Sequence, residues 1–352
     1  MRLGAWHGLR RHRVRAPLRT ELVSVVIPCY RYGHFLRDAV SSVLQQRGVE
    51  GEVIVVDDAS PDDSAAVALA LSQEDPRVRV ILHEENRGHI ATYNEGLAAC
   101  RGEYVLLLSA DDAIAEGSLA RAVALLQSHP DVGFVYGHAE SFSGPVPRLA
   151  DEARSWSTWS AGTWLGTMSS RCVNPVYTPS AVMRRRAWEE CGPYDPELPH
   201  AADMLLWYAT SARWGVGRVN NRAQAYYRVH GENMHLTQFA GMMRDLREQR
   251  IVMDRVFGER SLGSSAASQR AAAYRALARR ALRLAAEAGQ RGQDPEAALA
   301  YTGFAEEVME SAAVRPRRGL LAVDRWMEGD GARWVRRVAR HLEWRRWRRW
   351  GI

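Results

Sequence analysis

Apolar β-branched runs and amphipathic segments alternate along the first third of the chain. Val23-Ser24-Val25-Val26-Ile27 has the pattern of a short buried strand, closed by Pro28. From His34 to Gln45, the residues Phe35, Leu36, Ala39, Val40, Val43 and Leu44 recur at spacings that gather them on one helical face. Val53-Ile54-Val55-Val56 predicts the next strand, and a helix near Ser64 to Ser72 starts after the turn-forming Ser60-Pro61-Asp62-Asp63. Val78 to Leu82, Ala91 to Cys100 and Tyr104 to Leu108 continue the series as strand, helix and strand. Such alternation predicts an α/β fold of mostly parallel strands joined by right-handed crossovers, with a ligand crevice beyond the strand C-termini.

The pattern then changes. Residues 140 to 160 are rich in Ser, Pro and Gly and predict a loop, followed by a strand at Ala181 to Met183, a helix at Ala201 to Trp214 and a strand at Gln224 to Val229. From about residue 238 the periodicity is wholly helical. The Ala/Arg-rich segments 265 to 290 and 295 to 313, parted by Gly289, Gly292 and Pro295, predict a helical hairpin. Three regions result: a basic, flexible lead-in over 1–21, an α/β domain over 22–237 and a helical region over 238–352.

Composition narrows the class. With 46% hydrophobic and 25% charged residues in 352, the chain is a folded globular protein. Its net charge of +6 comes from arginine alone, since no lysine is present. Arginines crowd residues 2 to 19 and 315 to 349, so an anionic partner, membrane surface or nucleic acid, is expected at the termini. The four cysteines Cys29, Cys100, Cys172 and Cys191 fall singly, without disulfide or zinc spacing, which suits a reducing cytoplasm. No apolar stretch approaches the roughly 20 residues that span a bilayer, and the arginine-rich start lacks the apolar core of a secretory signal.

Carboxylates mark the predicted strand ends. The second strand ends in Asp57-Asp58-Ala59-Ser60, where Asp58 suits either a nucleoside hydrogen bond or the shaping of a turn. The fourth ends in Ser109-Ala110-Asp111-Asp112, and adjacent carboxylates there call for a cation, most economically a divalent ion shared with phosphate. After the first strand comes Pro28-Cys29-Tyr30-Arg31-Tyr32-Gly33, which is neither the glycine fingerprint of a dinucleotide-binding fold nor a lysine-bearing phosphate loop.

Several motifs in register resemble family 2 glycosyltransferases of the GT-A fold. They are Ser24 to Tyr30, Ser41-Ser42-Val43-Leu44-Gln45-Gln46, Val55 to Ser60, Asn86-Arg87-Gly88 with Asn94, and Gly102-Glu103-Tyr104 leading into Ala110-Asp111-Asp112. The resemblance covers about residues 22 to 235 and implies a Rossmann-like sheet flanked by helices. It divides the domain into a nucleotide-sugar half, 22–137, and an acceptor half, 138–237. It implies nucleotide binding by Pro28, Tyr30, Asp58 and Asp111, and Mg²⁺ or Mn²⁺ held by Asp112 and His230, the histidine coming from the closing motif Tyr227-Arg228-Val229-His230. Two positions depart from the family pattern: Ser109 replaces the cluster's usual first aspartate, and Tyr93 replaces a frequent arginine.

Thr178 to Arg185 resembles the family's acceptor-side strand. Gly192-Pro193-Tyr194-Asp195, followed by Ala202-Asp203-Met204-Leu205-Leu206-Trp207, resembles the segment that presents the catalytic base, which makes Asp203 the expected base. Without the resemblance, Asp203 reads as a helix-stabilising first-turn carboxylate. The implied activity is inverting transfer from a nucleotide diphosphate sugar, a UDP-sugar favoured, to a glycan or lipid-linked acceptor in surface polysaccharide or glycolipid synthesis. Alternatives are a nucleotidyltransferase and a non-catalytic nucleotide-sugar-binding protein of the same fold. Trp344, Trp347 and Trp350 among arginines suit a membrane interface or a basic helix packed on the protein or a partner, and no nucleic-acid module appears in the middle of the chain. The expected location is cytoplasmic, peripheral at the inner membrane face where the tail meets lipid.

Overall fold

The computed structural model describes residues 9–147, 155–231, 233, 242–258, 266–290 and 294–311. They divide into two compact units, one of Met1–Trp164 with Val176–Ala240, the other of Leu165–Pro175 with Gly241–Ile352.

In the first unit the elements follow as β1 Arg10–His12, β2 Leu22–Cys29, α1 Gly33–Leu44, β3 Glu50–Asp57, α2 Ser64–Glu74, β4 Val78–Leu82, α3 His89–Ala98 and β5 Tyr104–Leu107. Next come β6 Ala113–Ile114, α4 Ser118–Ser128, β7 Val132–Phe142, β8 Ser155–Trp159, α5 Thr163–Ser169 at the unit boundary, β9 Val182–Arg184, α6 Arg185–Cys191, α7 Ala202–Arg213 and β10 Gly215–Arg228. The strands form one mixed sheet in the order β1-β8-β10-β7-β9-β5-β2-β3-β4, with β6 paired to β10.

The parallel half follows from its sequence. Val23, Val25, Val26 and Ile27 are fully buried because β2 lies between β3 and β5, both parallel to it, and is covered by helices. Helix α1 lays Leu36, Ala39, Val40 and Val43 on that surface. Each such side chain contributes about 1.5–3 kcal/mol by leaving water. Helix α3 comes closer still: a Cβ on Gly96 would stand 2.3 Å from Val26 Cγ1 and 3.0 Å from Val56 Cγ2, so glycine is what admits the helix.

The other half is mixed. β9 runs antiparallel between β5 and β7, while β10 runs parallel to β7 and antiparallel to β8. The region expected to be a loop contains β8, in which Trp156, Ser157, Thr158 and Trp159 are all buried. Its serines obscure the strand, and the tryptophans stabilise it. Within the basic lead-in, Arg10–His12 pairs with β8 and so forms an ordered edge strand.

The second unit contains α8 Met242–Gly258, α9 Ala266–Gln290 and α10 Pro295–Ser311. The last two match the expected hairpin, burying Ala273, Tyr274, Leu277 and Ala281 from α9 and Phe304, Ala305 and Val308 from α10. Arg280 ties α9 to α8 through Asp245 at 2.8 Å and Gln249 at 2.7 Å. No helix among the described residues is long and apolar enough to cross a membrane. The tryptophan-arginine tail lies outside the described residues.

Candidate active site

The loops after β2 and β3 are stitched together. Asp58 N–H donates to Cys29 O at 2.9 Å and Arg31 N–H to Ser60 Oγ at 3.0 Å, with Arg31 and Ala59 in left-handed backbone, φ 64° and 54°. Asp57 is spent locally on Ser60 N–H and Oγ–H. Asp58 is buried, and its carboxylate accepts Arg87 N–H at 2.8 Å and Gly88 N–H at 2.9 Å while standing 2.6 Å from His83 Nδ1. A carboxylate offers about four lone-pair positions, so Asp58 fixes the Asn86-Arg87-Gly88 loop and retains one acceptor position. Tyr30 stands exposed beside it, and Pro28 lies partly covered at the end of β2.

Beyond β5 the chain turns at Ser109, whose carbonyl accepts Asp112 N–H at 3.0 Å, and both Asp111 and Asp112 are buried. The end of β10 closes on this turn. Arg228 donates its backbone N–H to Asp112 Oδ1 at 2.9 Å, Nε–H to Asp111 O and Nη1–H to Gly144 O, both at 2.8 Å. Its guanidinium also meets the exposed Asp38, 2.8 Å away, and lies between the Phe35 and Phe142 rings at 4.6 Å from each centroid. His230 Nε2 is 3.0 Å from Asp111 Oδ2, and the imidazole packs edge-on to Tyr32. Asn233 accepts His230 N–H and donates to Arg228 O, which fixes the chain beyond the strand.

Electrostatics follow from this burial. Desolvation, and then the charge of Asp111, push the Asp112 carboxyl well above its ordinary range, against the opposing pull of Arg228. A cation beside the pair would remove that penalty. The donors are hard carboxylate oxygens and an imidazole, and Mg²⁺ commonly takes one or two carboxylates plus substrate phosphates. The 3.0 Å between His230 Nε2 and Asp111 Oδ2 suits both a hydrogen bond and two neighbouring donors on one ion. The chemistry of these donors suits a divalent ion completed by phosphate; the measured pairing is His230 with Asp111, Asp112 adjoins it in sequence, and the described residues contain no cluster of three or more such ligands.

Asp203 lies in the first turn of α7, partly buried, with Oδ1 accepting Met204 N–H at 2.6 Å. Two phenols share its field. Burial and then Asp203 raise the pKa of Tyr93, with further contributions from Asp111 and Asp112, and Tyr194 is raised by burial, Asp203 and Tyr93. The Tyr93 phenol thus feels the charge of both the acidic pair and the carboxylate on α7. Tyr227, next to Arg228, meets the exposed Tyr177 with ring centroids 6.0 Å apart.

The family model described as Glycosyl transferase family 2 matches residues 24–192. A glycosyltransferase of Nostoc sp. is 31% identical over 221 residues, covering 61% of this chain and 67% of that protein. The glycosyltransferase GlyG of Streptococcus pneumoniae is 36% identical over 126 residues, 35% of this chain and 42% of that protein. The chain belongs to glycosyl transferase family 2. The transferase also shares its fold with a mannosyltransferase of Pyrobaculum calidifontis solved with GDP-Man and Mn²⁺, at TM-score 0.55 and 18% identity over 91% of this chain and 84% of that one. S. aureus TarS 1-349 in complex with UDP-GlcNAc aligns at TM-score 0.56 and 16% identity over 84% of this chain and 93% of that one.

In the transferase the expected residues fall into three places: Pro28, Tyr30 and Asp58 at the ends of β2 and β3, Asp111, Asp112 and His230 where the turn after β5 meets the end of β10, and Asp203 on α7. Sequence reading placed Arg228 in the same motif as His230, two positions earlier, as a residue that could face the diphosphate, but did not foresee that its backbone N–H and guanidinium brace the acidic turn. It also missed the roles of Asn233 and Asp38, which no spacing announces.

Proposed function

We propose that the transferase moves a sugar from a nucleotide diphosphate sugar, with a UDP-sugar favoured, to an acceptor hydroxyl with inversion at the anomeric carbon. One observation carries this reading: the end of β10 closes on the buried Asp111-Asp112 turn through Arg228 N–H and brings His230 Nε2 to 3.0 Å from Asp111 Oδ2, in a chain of a glycosyltransferase family. Tyr30 and Pro28 receive the base, and Asp58 and Asp111 accept hydrogen bonds from the nucleoside. Asp112 and His230 would hold a Mg²⁺ or Mn²⁺, which would supply positive charge against the diphosphate when bound. Asp203 takes the proton of the acceptor hydroxyl as its oxygen bonds to the anomeric carbon, and the bond from that carbon to the diphosphate oxygen breaks on the opposite face.

Support for a glycan or lipid-linked acceptor in surface polysaccharide synthesis comes from similarity to the succinoglycan biosynthesis protein ExoO of Rhizobium meliloti, 38% identical over 101 residues, 29% of this chain and 28% of that protein. The arginine-tryptophan tail would bring the protein to an anionic membrane; deleting residues 334–352 and measuring sedimentation with anionic vesicles tests this. The catalytic reading is tested by Asp203→Asn. Nucleotide release and transfer of radiolabelled sugar are expected to fall at least 1,000-fold, roughly the loss of a general base with its positioning, while UDP binding in Mn²⁺ stays within twofold. Full transfer in that variant refutes the assignment, and label arriving as nucleotide rather than sugar indicates nucleotidyl transfer instead.

A further inference from the structure

The segment from Gly192 to Ala201, between α6 and α7, pairs with no strand of the sheet among the described residues, yet it leads directly into the turn that presents Asp203. Its anchorage comes from one edge of α3. The Asn94 carboxamide bonds both polar backbone groups of Tyr194: Nδ2 donates to Tyr194 O at 2.8 Å, and Oδ1 accepts Tyr194 N–H at 2.8 Å. One turn earlier, His89 Nε2 stands 3.2 Å from Pro199 O. The Tyr93 ring meets the Tyr194 ring edge-on at 5.6 Å and the His89 ring at 5.4 Å. Positions 89 and 93 lie one above the other on α3, and with Asn94 they hold the segment at Tyr194 and at Pro199.

Between and beyond these grips the backbone is held step by step. Asp195 accepts Glu197 N–H through Oδ1 and Leu198 N–H through its carbonyl, Leu198 O accepts Ala201 N–H at 3.1 Å, and Ala201 O accepts Leu205 N–H at 2.9 Å. Leu198 is fully buried. Helix α3 is itself immobilised. Gly88, at φ 82°, caps its start with the N–H bound by Asp58, and Gly96 seats it against Val26 and Val56.

We propose that Asn94 and His89 are positioning residues that set the place of Asp203 from α3. The proposal rests on Asp203 being the base. Neither residue touches a reacting atom; each acts by holding the segment whose last turn carries the carboxylate. Misplacing a catalytic group by about 1 Å can cost on the order of 100-fold in rate.

The test uses the full chain with Asn94→Leu, which removes both hydrogen bonds to Tyr194 at similar volume, and His89→Leu, which releases Pro199 O. Asn94→Leu is expected to lower kcat by roughly 10- to 100-fold and His89→Leu by roughly 3- to 10-fold, each with UDP–Mn²⁺ affinity by calorimetry within twofold of the parent. In the Asp203→Asn background, the same substitutions should leave the residual transfer rate unchanged, because nothing remains for them to position. If Asn94→Leu does not fold, His89→Leu carries the test. Unchanged kcat in a folded variant, weakened UDP binding, or an undiminished fold-loss in the Asp203→Asn background overturns the proposal. Full activity of Asp203→Asn alone overturns the base assignment instead, so the two failures are distinct.

Discussion

Asp112→Asn is expected to stabilise the metal-free protein while abolishing its response to Mn²⁺. Asp112 is 1% exposed, and its carboxyl is pushed up by burial and by the neighbouring charge of Asp111. The asparagine retains the Oδ1 that accepts Arg228 N–H, so the geometry survives and only the charge is lost. Two like charges roughly 5 Å apart at an effective dielectric of about 20 repel by about 3 kcal/mol. Partial protonation and hydration already relieve part of this, leaving a net gain of about 1–2 kcal/mol. For a unit of this size, that is a rise in Tm of roughly 2–8 °C. The parent, at a Mn²⁺ concentration 100 times its Kd, gains about 2.7 kcal/mol, and the variant gains almost nothing. The pH dependence has a definite sign. A carboxyl whose folded pKa is raised binds more protons in the folded state, so metal-free stability declines as pH rises from the unfolded value near 4 through the raised folded value. The advantage of the variant should therefore widen as pH rises, as should the Mn²⁺ shift of the parent. Differential scanning fluorimetry at pH 5 and pH 8, with and without Mn²⁺, measures all of it. A metal-free variant less stable than the parent, with the Mn²⁺ shift intact, refutes the reasoning.

Arg228→Leu removes the donors to Asp111 O and Gly144 O from a buried site and should cost about 3–5 kcal/mol, read as a lower Tm together with loss of UDP–Mn²⁺ binding; an unchanged Tm contradicts the role given to Arg228. Gly96→Val forces α3 off Val26 and should destabilise by about 1–3 kcal/mol or more, seen as a lower urea midpoint; parental stability would mean that α3 has room to spare. Burial pushes the thiols of Cys29 and Cys100 up to about 12, which leaves on the order of one thiolate in 10⁴ at pH 8. Both should resist a disulfide reagent until denaturant is added, and prompt labelling of Cys29 contradicts its burial.

The parallel half was legible because its strands are buried on both faces and appear as unbroken apolar runs, and because the helices between them keep a clear period. The later half was harder to read. β8 is a Ser-Trp-Ser-Thr-Trp strand whose burial depends on partners far away in sequence, and β10 begins nine residues before its apolar end reveals it. At the site, adjacent carboxylates announced a charged function by their mutual repulsion. The residues that hold them did not. Arg228 meets the acidic turn across 116 positions and Asn94 meets Tyr194 across 100, and separations of that size have no local signature.

The closing of β10 on the acidic turn bears on how the protein is made. The family match ends at residue 192, yet the backbone N–H that orders Asp112 belongs to Arg228. During synthesis at roughly 5–20 residues per second, the acidic pair emerges some 6 to 23 s before its clamp. For that interval the nascent chain displays the sugar-nucleotide motifs without a formed pocket, and a fragment cut at the motif boundary would remain in that condition permanently.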